Sequence, residues 1–218
     1  MKIAAGIATY ADPLGVERTV ASLNDGIDAV IVIHVQYQSI DLHSPDSLSD
    51  TKAVCLKYPN TSLFDLGIAL ELEARQKYLD LATDYDFLLV IDSDEYISDG
   101  ADWGYFRQNC QQLIDQHAPH YIYDIMFDGP IAQSGPRPRL FYQPSKIKYD
   151  RKHYWWRLPN GRLADGMSDS CKLIEGIKIT HDKSLRLNGD YNLAVLKYQH
   201  WLLEHESQYV RTAADLVP

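Results

Sequence analysis

The feature that most constrains the fold is a rhythm of short apolar runs separated by segments with helical spacing. Residues 2–9 (KIAAGIAT), 29–35 (AVIVIHV) and 87–91 (FLLVI) are aliphatic or β-branched at nearly every position. Strands buried on both faces have this composition, whereas half-exposed strands alternate. Between the first two runs, Asp12-Pro13 turns the chain. Residues 15–24 then place Val16, Val20 and Leu23 at helical steps, with Gly26 as the C-cap. Residues 40–50 read as a loop and 53–57 as a weaker third strand. Leu63, Leu66, Leu70, Ala74, Tyr78 and Leu81 recur every three or four residues, which predicts one helix over 63–81. Strand–helix–strand–helix–strand with short connections predicts an α/β fold with a mostly parallel central sheet flanked by helices.

The second half of the chain changes character. Residues 121–127, 140–142 and 177–180 are expected strands, and 191–209 has the spacing of a closing helix. The whole 218-residue chain reads as one domain, long enough to bury a core without disulfides. Three cysteines without a CxxC spacing suggest buried free thiols. The formal charge of −9 disfavours nucleic acid as a partner. Basic residues are concentrated, however. Arg137, Arg139, Lys146, Lys148, Arg151, Lys152, Arg157 and Arg162 fall in one stretch with Asp150 as its one acid. That stretch is either a solvated edge or a wall that meets something anionic. The N-terminus makes a poor signal peptide, and no apolar stretch has the length of a membrane span. A cytoplasmic protein is the expectation.

The most informative residues are Val90-Ile91-Asp92-Ser93-Asp94-Glu95-Tyr96-Ile97. A strongly apolar strand ends in three acids, and ligands of open α/β sheets bind beyond the carboxyl ends of strands. In an extended segment, residues two apart point the same way. Asp92 and Asp94 are therefore expected beside one point in space. Like charges that close are costly unless a cation lies between them, and hard divalent ions take oxygen ligands and bridge phosphates. The bland alternative is an acidic turn that caps the next helix. An EF-hand does not fit, because Tyr96, Ile97 and Trp103 fall where that loop needs Asp or Asn, Gly, and Glu. A dehalogenase-type phosphatase does not fit either, given Tyr96 and the mid-chain position.

Asp92-Ser93-Asp94-Glu95-Tyr96-Ile97 resembles the Asp-x-Asp-Glu-[Phe/Tyr] metal motif of family-2-like GT-A glycosyltransferases. Ala5-Gly6-Ile7-Ala8-Thr9-Tyr10 resembles their first strand. The resemblance covers residues 1–100 and, more loosely, 120–186. It implies a single GT-A catalytic domain over 1–218. Within it, 1–100 would be the nucleotide-sugar half, 101–189 the acceptor half and 190–218 a C-terminal helix. It also implies Mn²⁺ or Mg²⁺ as cofactor and a nucleotide-sugar as donor, with a carbohydrate or glycoconjugate accepting the sugar at a hydroxyl.

Under that resemblance Asp92 and Asp94 hold the metal, with Ser93 between them, and His181 is the third ligand. Lys183 and Arg186 neutralise the leaving diphosphate. Thr9 and Tyr10 reach the base and ribose, and Asp41 is a further acceptor from the nucleoside. Arg75 either approaches the nucleotide or forms an ordinary helix salt bridge with Glu71. Arg139 and His153 belong to a region that resembles the acceptor side. Tyr154, Trp155 and Trp156 offer flat faces for sugar rings, or simply core packing. Three carboxylates compete for the role of base, Asp128, Asp165 and Asp169, and the sequence does not choose among them. A nucleotidyltransferase shares the layout, but the Gly-rich signature such enzymes carry after the first strand is missing from Ala8-Thr9-Tyr10-Ala11-Asp12-Pro13. A non-catalytic nucleotide- or carbohydrate-binding module is the other alternative. The compact chain also allows a homo-oligomer in which a partner subunit completes the acceptor side.

Overall fold

The computed structural model describes residues 1–9, 12–23, 25–37, 47–117, 120–128, 134–150, 152–165 and 172–182. Its core is an eight-stranded mixed sheet in the order β3-β2-β1-β4-β7-β6-β11-β5. Strands β1 (Ile3–Thr9), β2 (Ala29–Tyr37), β3 (Thr61–Ala69) and β4 (Phe87–Val90) run parallel. β6 (Ile122–Asp128) and β11 (Leu173–His181) are parallel to each other, while β7 (Gly135–Tyr142) and the short β5 (Glu95–Ile97) run against their neighbours. The result is the α/β layout that the apolar runs predict, with a mostly parallel central sheet flanked by helices.

Strand alternation divides the core in two. Ile3, Ala5 and Ile7 of β1 face α1 (Pro13–Leu23), α2 (Ser47–Cys55) and α4 (Trp103–Asp115). Ala4 and Ala8 face α3 (Glu71–Leu81) and a second, three-stranded sheet of β8 (Lys148–Asp150), β9 (Lys152–Arg157) and β10 (Leu163–Asp165). Gly6 allows α3 to approach, since a Cβ there would lie 2.8 Å from the Tyr78 ring. Gly26 is also a close-approach residue. Its backbone is not left-handed, and a Cβ would fall 1.9 Å from the Trp103 ring. It therefore serves the docking of α4, which the C-cap expectation missed.

Two expectations fail in the middle of the first half. Residues 53–57 belong to the end of α2 and the turn after it, and the chain from Thr61 to Ala69 is a strand. The predicted long helix begins only at Glu71. In a strand, the three-residue step from Leu63 to Leu66 points to opposite faces, and these two side chains indeed pack against the two different core clusters. Helix α4 was not expected. Its signal is Phe106, Cys110 and Leu113 on one buried face, with Asp102 accepting from Tyr105 N–H at 2.8 Å as N-cap. Cys55 and Cys110 are buried thiols, raised by desolvation to about 11 and about 12. Cys171 and the expected helix over 191–209 lie outside the described residues.

Candidate active site

The acidic segment is held by one face of α1. Asp12 precedes Pro13 and accepts from the N–H of Gly15 at 3.2 Å, the geometry of an N-cap. Its other oxygen accepts from the Ser93 hydroxyl at 2.9 Å. Thr19 donates to the carbonyl of Glu95 at 2.5 Å, and Ser22 Oγ accepts from Ile97 N–H at 3.0 Å. Gly15 leaves room for this approach, because a Cβ would stand 2.4 Å from both Asp12 Oδ2 and Ser93 O. Asp12, Gly15, Thr19 and Ser22 recur at three- and four-residue steps, the spacing of one helix face. Sequence reasoning missed this polar stripe, although its spacing was readable.

The segment turns where extended chain was expected. Glu95 N–H donates to Asp92 O at 2.9 Å, and Asp92 N–H donates back to the Glu95 carboxylate at 2.8 Å. The extended geometry from which the shared side of Asp92 and Asp94 was expected is replaced by this turn, and the two carboxylates meet different side chains.

Asp92 meets cations. Arg75 Nη2 lies 2.9 Å from Asp92 Oδ1, and Arg139 Nη2 lies 3.4 Å from Oδ2. Arg75 also donates from Nε to Glu71 at 2.7 Å. It makes the ordinary helix pair and reaches the metal strand as well. Burial opposes the charge on Arg75, but Asp92 and Glu71 more than offset it, so the guanidinium stays charged. Arg139 donates to the fully enclosed Glu95 at 2.6 Å. Burial pushes the Glu95 carboxyl up to about 7; Arg139 pulls it down, and Asp92 and Asp94 push it further up. Arg139, expected on the acceptor side, thus points into the acidic centre.

Asp94 meets His181. Strand β5 pairs antiparallel with β11, placing Glu95 opposite His181, and Asp182 N–H donates to Asp94 O at 2.9 Å. Asp94 Oδ2 and His181 Nε2 stand 3.0 Å apart, with the carboxylate side chain 6% exposed. Arg18 of α1 clamps Asp182 through its carboxylate at 2.7 Å and its carbonyl at 2.8 Å, and stacks over Tyr96.

Among the described residues, no group of three or more His, Cys, Asp or Glu side chains is arranged to hold a metal ion. Two ligands nevertheless suit one. The Asp94 and His181 side chains are hydrogen-bonded at 3.0 Å, and since adjacent ligands of an octahedral ion at about 2.1 Å are also about 3.0 Å apart, the same two atoms could hold one in place of that bond. An ion of that kind commonly takes one or two protein ligands and completes its shell with substrate phosphates and water. Imidazole nitrogen with carboxylate oxygen suits Mn²⁺.

The remaining candidates scatter. Thr9 closes β1 and is buried, and among the described residues its Oγ1 has no hydrogen-bond partner. Asp128 stands exposed at the end of β6, opposite Thr180. Asp165 ends β10 in the separate small sheet, opposite Trp155. Trp156 is a core residue packed against Phe141 and Tyr149, which answers the sugar-stacking expectation for that side chain. His153 and Tyr154 lie in β9, which leads to the half-buried Trp155. Tyr10, Asp41, Asp169, Lys183 and Arg186 lie outside the described residues. Four of the described members of the basic stretch have acidic neighbours. Arg139 turns inward, Lys148 meets Asp80 at 2.6 Å, Arg157 meets Asp150 at 2.5 Å, and Arg137 acts on Asp124. No helix among the described residues is long and apolar enough to cross a membrane.

No family model matches the chain, and no curated protein matches it. Solved structures do. S. aureus TarS 1–349 in complex with UDP is similar at 20% identity and a TM-score of 0.45, over 63% of this chain and 38% of that one. Glucosyl-3-phosphoglycerate synthase from Mycobacterium tuberculosis, in complex with Mn²⁺, UDP and phosphoglyceric acid, is similar at 16% identity and a TM-score of 0.37, over 61% of this chain and 44% of that one. The mannosyltransferase PcManGT from Pyrobaculum calidifontis, in complex with GDP-Man and Mn²⁺, is similar at 12% identity and a TM-score of 0.47, over 96% of this chain and 64% of that one. The chain therefore spans less than two thirds of each of these proteins.

Proposed function

We propose that the protein is a metal-dependent glycosyltransferase of GT-A type that moves a sugar from a nucleotide-sugar to an acceptor hydroxyl. The observation that carries this reading is the Asp94–His181 pair, 3.0 Å apart at the carboxyl end of the sheet, beside an Asp92 already neutralised by two arginines. A site with two protein ligands is one that a diphosphate completes.

Asp94 and His181 would hold a divalent cation, which would supply Lewis-acid stabilisation of the departing nucleoside diphosphate. Arg75 and Arg139 keep Asp92 oriented, and the stripe on α1 fixes the loop that carries all three acids. Thr9, whose hydroxyl at the end of β1 has no partner among the described residues, is the described candidate to meet the nucleoside. Asp128, exposed at the end of β6, is one of the base candidates for the acceptor proton, with its side chain on the strand face that Thr180 shares and His181 does not.

The test is release of nucleoside diphosphate from a panel of UDP-, GDP- and dTDP-sugars with Mn²⁺, in wild type and Asp94→Ala. The reading expects slow release from one donor, abolished by chelator and lowered at least about 100-fold by the substitution. Release that persists in both controls would overturn it.

A further inference from the structure

Asp94 and His181 come from different strands, and the ladder that brings them together is short. Strand β5 has three residues and is the edge of the sheet among the described residues. It pairs with β11 through Ile97–Ile179, Tyr96–Thr180 and Glu95–His181. His181 is thus in the last pair, and Asp94 lies one residue beyond it. The end of a short edge ladder is where local opening begins.

A side chain of α1 closes that end. Asp182 N–H, in the peptide group that follows His181, donates to Asp94 O at 2.9 Å. The Asp182 carbonyl accepts from Arg18 Nη2 at 2.8 Å, and its carboxylate accepts from Arg18 Nη1 at 2.7 Å. The guanidinium is held in its turn by the Tyr96 ring, whose centroid lies 4.7 Å from Arg18 Cζ. A rigid planar fork meets two acceptors of one residue at once, which an ammonium group does not do. The same helix holds β5 through Thr19 and Ser22. One helix therefore grips the strand after Asp94 and the chain just past His181. The Arg18 and Asp182 side chains are 20% and 36% exposed, and an ion pair so open to water contributes little to global stability. Its geometric effect is local to the two ligands.

We propose that Arg18 is a positioning residue for the metal site: by fixing Asp182 it holds the His181 imidazole against Asp94 and so sets the affinity of the pair for a divalent cation. The inference rests on the reading above in taking Asp94 and His181 as the ligands. Charge alone argues the other way. Arg18→Met removes a cation from beside the Asp182 carboxylate, so the field at a neighbouring dication becomes more attractive and binding should tighten. Loss of position should weaken binding. The sign of the change separates the two roles.

The test measures Mn²⁺ binding in the presence of UDP or GDP by electron paramagnetic resonance, in wild type, Arg18→Met, Arg18→Lys, His181→Ala and the Arg18→Met/His181→Ala double variant. Melts establish that each is folded at the assay temperature. Arg18→Met should lower the affinity about tenfold. Arg18→Lys, which keeps the charge and loses the fork, should keep part of it, and Arg18→Met should add little once His181 is gone. In the metal-free protein, amide hydrogen exchange at Asp182 should quicken in Arg18→Met while exchange in β1 and β4 stays at the wild-type rate. An affinity unchanged or raised in Arg18→Met, an equal loss in the His181→Ala background, or unaltered exchange at Asp182 would overturn the inference. Wild-type binding without the predicted loss sinks only the role of Arg18; no Mn²⁺ binding by wild type sinks the metal reading with it.

Discussion

The two halves of the central sheet are assembled by different rules, and the candidate site lies along their seam. The pairings of β1 to β4 with one another are all parallel, and the strands deliver residues to the site simply by ending there, as Thr9 and Asp92 do. In β5, β6, β7 and β11 the pairings are mixed and broken by bulges, and residues meet across long stretches of chain. Arg139 reaches Glu95 over 44 positions, and His181 reaches Asp94 over 87. The first half thus supplies a scaffold with acids at its rim. The second half supplies Arg139, which meets Glu95 and Asp92, and His181, which meets Asp94, while Arg75 of α3 holds Asp92 from the first half.

That contrast breaks most visibly at Arg139. Arg139→Met leaves Glu95 and Asp92 short of a buried cation, and loss of one partner from a buried ion pair costs about 3–5 kcal/mol. Thermal or denaturant melts should show it, at about 10 °C in Tm for a chain of this size. Adding Glu95→Gln should restore part of the loss, whereas a cost no greater than that of a surface substitution would show that the clamp does not matter. In the parallel half, Gly15→Ala forces a Cβ against Asp12 and Ser93 O. Overpacking of this kind costs about 1–3 kcal/mol. Because Ser93 lies in the acid-bearing loop, donor turnover should fall along with stability. Turnover kept while stability drops would separate loop position from catalysis.

The smallest effect is a slope in pH. The Glu95 carboxyl sits at about 7 in the fold against an ordinary value of 4.5, chiefly through burial. Between those values the native state keeps a proton that the unfolded chain releases, so stability falls as pH rises through the window and levels off above it. Melts of the metal-free protein across that range should show this decline. Glu95→Gln should flatten it, and an unchanged slope would place the titration on another group.

The parallel half was largely legible because its information is local. Unbroken apolar runs mark doubly buried strands, and Val16, Val20 and Leu23 mark α1. The failure at 53–69 has a physical cause. β3 is the sheet edge, half exposed, and a left-handed Gly67 with φ +62° sits in a bulge that shifts its register against β2. Strict alternation is lost there, and the remaining three-residue spacing imitates a helix. At the site, the acids were legible as a motif and their orientation was not. The turn closed by Glu95 N–H to Asp92 O replaces the extended chain, and the two aspartates meet different side chains. The destination of Arg139 depends on β7 lying beside β4, and that of His181 on β5 folding back onto β11. Those are facts of topology that no local pattern records.

On the proposed reading, Asp94 and His181 hold the divalent ion, a nucleoside diphosphate completes its shell, and Asp92 stays with its arginines. The most direct measurement is Mn²⁺ binding in the presence of UDP or GDP, read by the loss of the free-ion signal in electron paramagnetic resonance. Wild type, Asp94→Asn, His181→Ala and Asp92→Asn would be compared, with circular dichroism confirming that each is folded. The account predicts one bound ion in wild type and in Asp92→Asn, with affinity lowered at least about tenfold in the other two. Equal affinity in all four proteins, or loss of binding confined to Asp92→Asn, would contradict it.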